Sequence, residues 1–389
     1  MIIDGKRALA YIVAIDSITP IEGADNIELA HIGGWNVITK KNEFQVGDLG
    51  VFFEIDSKLP ETEWSEFLRP KHFKIKTMKL GKFGVISQGL VLPISILPNG
   101  SEISVGTDVT DLLGITYSVA EDNERKAKSN PNAKYNSMAA RHPKLAKQKW
   151  FRWLMKRNWG KKLLFVFFGK KKDKPKDFPN WIKKTDEERV ENMKWILENK
   201  SPWIKSEKID GTSTTFALDL TTKKPDFIVC SRNVRQIDMK QTNYHSQEGI
   251  DNVYWEMAFK YNIESALNDI AKSFEVKRLV LQGETYGEAL QGNPYKLNER
   301  RFAAFNLIFD GERLNSVKAK EILLKYDIPF VPIIDENYIL PDDFEEFKLS
   351  ADGVSTISNV KREGFVYRSL DGTQSFKNVS REFLLKHNG

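Results

Sequence analysis

Cysteine is almost absent from this 389-residue chain, with Cys230 the only one. An internal disulfide framework and a cysteine-rich zinc site are thereby excluded. A reducing compartment, the cytoplasm or one like it, is the expected setting. Long hydrophobic runs are missing as well. The longest, the eight residues 8–15, is far too short to span a bilayer, as is the apolar run 163–168. The first residues, Met1-Ile2-Ile3-Asp4-Gly5-Lys6-Arg7, lack the apolar core of a secretory signal. No internal repeat is visible. What the chain has is an ordinary balance of 41% hydrophobic and 29% charged residues, at a length that suits two or three domains.

Acidic residues are scarce in one place. Between Asn123 and Lys176 there are 18 Lys/Arg and 2 Asp/Glu, a local charge of +16 in a chain of net +6, so the remainder carries −10. A basic excess confined to one segment is how an electrostatic footprint for nucleic acid often looks. The second part of this segment adds aromatics: Trp150, Phe151, Trp153 and Trp159, then the apolar run 163–168, then lysines at 170–172. Packing across a domain seam, lying on a membrane surface and gripping nucleic acid all fit this pattern. Packing is the preferred reading for the aromatics, and no stable membrane association is expected.

Residues 1–115 read as β-structure. Short β-rich runs at 7–15, 27–32, 35–39, 49–55 and 89–92 are separated by glycine- and asparagine-containing turns. Several short strands of this kind favour a small barrel or sandwich, and five would suit an OB-fold. Lys71-His72-Phe73-Lys74-Ile75-Lys76 and Lys79-Leu80-Gly81-Lys82-Phe83 interleave bases with aromatics. Such a face can hold phosphates and stack bases, and it equally suits an ordinary strand with one solvated side. Residues 116–177 form the basic linker or insert. Residues 178–389 alternate strands with helices at about 251–262, 263–273, 316–326 and 381–387, without a regular βαβ period, which argues for α+β with antiparallel sheets. Thr185 with Glu188 reads as a capping box opening a helix that runs to about Glu198.

The chemistry centres on Lys208, in Trp203-Ile204-Lys205-Ser206-Glu207-Lys208-Ile209-Asp210-Gly211. A lysine at the mouth of a strand, among carboxylates, can act as a covalent nucleophile. These residues alone would also suit a surface turn with a solvated lysine. Further pieces follow in order: Ser231-Arg232-Asn233 with a forked cation suited to phosphate, Glu284 at a strand end between Gly283 and Gly287, the aromatic strand 301–309, Glu363 before Gly364, and Ser375-Phe376-Lys377.

In this order and spacing the set resembles the motifs of covalent nucleotidyltransferases, the ATP-dependent nucleic-acid ligases and mRNA capping enzymes. It is most similar to the RNA ligase clade with an N-terminal OB module before the adenylyltransferase domain. The run Lys184-Thr185-Asp186-Glu187-Glu188-Arg189 and the final Phe383-Leu384-Leu385-Lys386-His387 also resemble that clade. The resemblance implies that Lys208 takes AMP from ATP, Glu207 reads the adenine amino group, and Asp210 contacts ribose or a metal-bound water. It implies that Arg232 holds phosphate, Glu284 binds ribose hydroxyls or the metal's waters, and Phe302 stacks on adenine while Phe305 fills the core. Glu363 would help hold Mg²⁺ or Mn²⁺, so that Asp210, Glu284 and Glu363 are the metal's acids, and Lys377 would contact the α-phosphate. Many relatives carry Lys-x-Lys at the last motif, and here Ser375 takes the first place. The implied activity joins a 3′-OH to a 5′-phosphate in nicked or broken RNA, by a chain expected to be monomeric. An mRNA guanylyltransferase or DNA ligase with the same lysine chemistry, or a non-catalytic OB-type RNA-binding protein, is the alternative.

Overall fold

The computed structural model describes residues 1–3, 6–118, 145, 148–168, 176–236 and 252–387. Two compact units are present. One combines Met1–Thr116 with Pro175–Gly389, and the other is Tyr117–Lys174. In the smaller unit, helices Lys149–Met155 and Asn158–Phe168 pair through buried Phe151 and Leu164. The stretches 119–144 and 169–175, with the lysines at 170–172, lie outside the described residues. Among the described residues no helix is long and apolar enough to cross a membrane.

The first strands fall where alternation and turns put them. Ala10–Ala14 pairs with Leu49–Phe53 and that with Leu90–Pro93, while Ser17–Pro20, Ile27–Ile32 and Trp35–Lys40 make a second three-stranded sheet. The expected barrel does not close among the described residues. Where Trp35–Lys40 could continue to the strand Val85–Ser87, the Ile38 N–H donates to the Ser87 hydroxyl at 3.0 Å instead of to a carbonyl. A single backbone bond, Gln88 N–H to Asn36 O at 2.8 Å, follows, and Trp35 packs on Phe52 across the gap. The interleaved stretch at 71–76 turns its apolar members inward, Phe73 and Ile75 being buried. Phe73 therefore has no face for a base, and the stretch is an ordinary one-sided surface.

Behind this module stand two sheets. The seven-stranded one runs in the order Lys176–Asp177, Val234–Arg235, Asp226–Ser231, Thr212–Asp219, Arg278–Gly287, Arg300–Phe309, Glu312–Arg313. Helices Val253–Lys260 and Ile263–Phe274 cover one face, where Phe216, Leu218, Leu279, Leu281 and Phe302 form the core. Asn252 caps the first helix, its side chain accepting from Tyr254 and Trp255 N–H. The five-stranded sheet runs Glu188–Arg189, Ser375–Val379, Gly364–Ser369, Trp203–Lys208, Ile333–Tyr338. Its back face, Trp203, Phe365, Tyr367 and Phe376, packs on Phe347 and Ile196.

The expected helix from Thr185 is absent. Residues 183–187 run without regular structure, Glu188–Arg189 forms a short strand parallel to Phe376-Lys377, and the rest is short 3-10 turns, Val190–Asn192 and Lys194–Glu198. The capping residues are committed elsewhere: Thr185 to Ser213 at 2.9 Å, Asp186 and Glu187 to cations of both sheets. Tertiary contacts override the local cap signal.

The turn 190–192 is also the seam to the first module. Asn192 Oδ1 accepts from Trp35 Nε1 at 2.7 Å and from the Tyr11 hydroxyl at 3.0 Å, while its Nδ2 donates to Glu54 and Glu188, both at 2.8 Å. Burial works to raise the Glu54 carboxyl, but Arg7 and Asn192 are among the partners that hold it at about 2. Gly34 lies between, its N–H bonded to Glu191 O and its carbonyl accepting from buried Lys348 Nζ, each at 2.8 Å. A Cβ on Gly34 would stand 2.4 Å from the Phe344 ring and 2.7 Å from the Glu191 backbone. Gly34→Ala is therefore expected to cost about 1–3 kcal/mol of stability and to loosen the seam. Urea unfolding with limited proteolysis checks this, and an unchanged midpoint and cleavage pattern would remove Gly34 as a seam constraint.

Candidate active site

Lys208 ends the strand Trp203–Lys208, opposite Gly364. Alternation places Ser206, Lys208, Val366, Arg368, Ser375 and Lys377 on one face, since Ser206 pairs with Val366, Val366 with Lys377, and Arg368 with Ser375. Lys208 Nζ lies 2.6 Å from Glu363 Oε1. Burial disfavours the ammonium, yet Glu363, Glu284 and Asp210 outweigh it and hold Lys208 above the ordinary lysine value.

The carboxylates show the reciprocal strain. Burial pushes Asp210 up to about 7, with Glu363 adding to the rise and Lys208 opposing it. Burial likewise lifts Glu284 to about 8, against the pull of Lys208 and Arg232 and with Glu363 and Asp210 adding to it. One ammonium thus serves three acids. The second oxygen of Glu363 is buried and has no hydrogen-bond partner. An orphaned carboxylate oxygen beside two acids held near neutrality fits a divalent cation. Among the described residues, however, no three acids converge closely enough to ligate one ion directly. The residues fit a metal held at least partly through its waters, as Mg²⁺ commonly is.

Lys377 is 9% exposed and points to Asp186 Oδ1 at 3.3 Å. Burial, then Arg7 and, further down, Arg189 and Lys208 lower it to about 8, with Asp186 opposing them. Arg232 is half-exposed and lies 3.2 Å from the other oxygen of Asp186. The set Lys208, Asp210, Glu284, Glu363, Arg232 and Lys377 is therefore one electrostatically coupled group.

Two expected members sit elsewhere. Phe302 is fully buried on the helix-covered face, 5.2 Å edge-on to Phe216. The register pairs Thr285 with Phe302 and Glu284 with Ala303, so Phe302 points away from the side that carries Glu284. It has no surface left for a base. Phe305, expected in the core, is partly exposed and has the Arg368 guanidinium 5.6 Å from its ring. Glu207 lies on the opposite face of its strand from Lys208. Its carboxylate accepts from Ser355 Oγ at 2.5 Å, Thr356 N at 2.8 Å and Thr356 Oγ1 at 2.6 Å. That side chain is engaged with the loop 355–356 rather than open to a ligand.

Sequence reasoning missed Asp186 and Glu187, which it spent on a helix start, and Tyr295, whose hydroxyl accepts the Asp210 N–H at 2.8 Å. Tyr295 carries no local signal, because 85 residues separate the partners. Ser375, in the place of a lysine, donates to Glu187 and accepts from Arg313 at 3.3 Å.

Comparison with known proteins agrees with this geometry. Residues 9–94 match an OB-fold domain model, and residues 201–386 match the RNA ligase family model. No curated protein matches the chain. Among solved structures, the Naegleria gruberi RNA ligase with pyrophosphate is similar at 29% identity and TM-score 0.74, covering 98% of this chain and 99% of that one. A variant of that enzyme with ATP and manganese gives 29%, 0.74, 98% and 100%. Another, with AMP and manganese, gives 29%, 0.73, 98% and 99%. An OB-fold domain at 9–94 thus leads into an RNA ligase domain at 201–386 that contains Lys208, and over nearly its whole length the chain is similar to a solved RNA ligase.

Proposed function

We propose that the chain is ATP-dependent and joins a 3′-OH to a 5′-phosphate of nicked or broken RNA, through a lysyl-AMP on Lys208 and an adenylylated RNA end. One observation carries the reading: Lys208 Nζ stands at a strand end, 2.6 Å from Glu363, coupled to Glu284 and Asp210. The solved relatives that hold ATP, AMP and manganese support the nucleotide and the choice of Mn²⁺ or Mg²⁺.

In the first step Nζ of Lys208 bonds to the α-phosphorus of ATP, the bond to the β-phosphate oxygen breaks, and pyrophosphate leaves. An ammonium cannot attack, so Lys208 must first shed a proton, and Glu363 Oε1 is within hydrogen-bond reach to take it. Lys377 and Arg232 offer positive charge to the phosphates, where fixed cations stabilise charge that grows in the transition state. A divalent cation held by Asp210, Glu284 and Glu363, partly through water, would supply charge that offsets the acids and weakens the lysine's hold on its proton. The RNA 5′-phosphate then displaces Lys208 from AMP. Finally the 3′-OH attacks that phosphate and AMP departs. Glu207 orders Ser355 and Thr356 behind the site. The +16 segment at 123–176 supports RNA as the polyanion.

Lys208→Ala should abolish labelling of the protein by α-labelled ATP, yet still seal a strand supplied already adenylylated, because the last step needs no protein nucleophile. A covalent AMP adduct on the variant would exclude Lys208.

Glu363→Gln and Glu284→Gln should each lower lysyl-AMP formation about 10- to 100-fold, as loss of groups that orient a metal's ligands does. Raising Mn²⁺ should recover part of the loss. Full activity of Glu363→Gln at limiting metal would take it out of the site.

The Lys377 shift sets a pH dependence. Its pKa is pulled down to about 8, so it is charged below that pH and neutral above it. KM for ATP should climb as pH rises through 8, by up to about tenfold per unit. Lys377→Arg, which keeps its charge, should flatten the climb. KM measured from about pH 7 to 9.5 decides, and identical profiles would exclude Lys377 as the titrating contact.

A further inference from the structure

Asp186 and Glu187 are adjacent, and each ties a cation of one sheet to a cation of the other. Asp186 accepts from Arg232 at 3.2 Å and Lys377 at 3.3 Å. Glu187 accepts from Arg368 at 2.9 Å, lies 3.8 Å from Arg313, and accepts a hydrogen bond from the Ser375 hydroxyl on its other oxygen. Arg232 and Arg313 belong to the seven-stranded side, while Lys377 and Arg368 sit on the five-stranded sheet.

The two clasps differ in strength. Arg368 is 4% exposed and its pair with Glu187 is short and closed from water. Arg232 is 48% and Asp186 26% exposed, and both Asp186 contacts exceed 3.0 Å. The Arg232 pair is long and half-solvated, and such pairs contribute little and exchange readily; the Lys377 pair is equally long, although Lys377 itself is buried. The two cations Asp186 holds are the ones assigned to the phosphates of ATP.

We propose that Asp186 is a positioning residue for the nucleotide: its carboxylate keeps Arg232 and Lys377 a single anion's width apart, and the incoming phosphates displace it while Glu187 keeps its partners. This rests on the ATP reading above. Asp186 thereby presets the phosphate site and also weakens ATP binding, because the phosphates must replace a negative charge already seated there.

The test is Asp186→Asn in the full chain, which leaves an acceptor for Lys377 and removes the competing charge. At about pH 6, where Lys377 stays charged without the support of Asp186, KM for ATP in lysyl-AMP formation and the dissociation constant of pyrophosphate, by titration, should both fall about two- to fivefold, with kcat little changed. An equal or higher KM and an equal or weaker pyrophosphate affinity would overturn the proposal. The wild-type chain gives a second readout that needs no variant. Carbodiimide-driven amine labelling of Asp186 should rise when pyrophosphate is added, and that of Glu187 should not. Unchanged or reduced labelling of Asp186 would also overturn it. If the wild-type chain takes no label from ATP, the ATP reading fails, and the pyrophosphate titration and carboxyl labelling still judge Asp186 by themselves.

Discussion

One ammonium among three carboxylates organises this molecule. Lys208, Asp210, Glu284 and Glu363 come from a strand end, the turn after it, a strand of the other sheet and the residue before a neighbouring strand. They can meet only if both sheets are placed correctly. Together they carry an excess of negative charge in a poorly solvated place, which is why Asp210 and Glu284 are driven towards neutrality. Such a site is unstable in its charges until something positive enters it. The chemistry follows from that imbalance: the same acids that hold the lysine protonated when alone can release it when a cation offsets them.

A network of polar groups attaches the first module. Asn192 meets Tyr11, Trp35, Glu54 and Glu188 at once, using both its donor and its acceptor. A buried network of this kind is directional. It fixes one orientation, because any other would leave buried polar groups without partners. The turn 190–192 directly follows Arg189, which pairs with Lys377 across the five-stranded sheet. The seam and the strand that carries Lys377 are therefore joined by one short segment.

How much was legible depended on how local the cause was. Strands at 27–32 and 35–40 follow from alternation and the glycine pair between them, and the structure has them there. Lys208 and Glu363 were legible as polar residues at strand boundaries, while Glu284, read as a strand end, and Lys377 were legible by their order and in fact lie inside their strands. The helix from Thr185 was misread because its cap signal is real but Asp186 and Glu187 find four cations, none nearer than 46 residues in sequence. Phe302 was misplaced for a similar reason. Which face an aromatic takes depends on an irregularity in the pairing between Gln282 and Gly283, and one sequence carries no mark of it. Among the described residues the barrel stays open over a detail as small, a serine hydroxyl answering Ile38.

The back-to-back placement of Glu207 and Lys208 has a consequence for folding fidelity. Side chains alternate strictly along a strand, so a slip of one residue against Gly364–Ser369 would exchange the two. The lysine would then face the apolar layer of Phe365, Tyr367 and Phe376, and the glutamate would join Glu284 and Glu363. Ser355 and Thr356 would lose their acceptor in the same move. Both errors desolvate a charge without a partner, which is among the costliest faults a protein can carry. The pair thus acts as a proofreading device: a strand paired wrongly cannot be stable, and a strand that is stable has Lys208 on the side of Glu363.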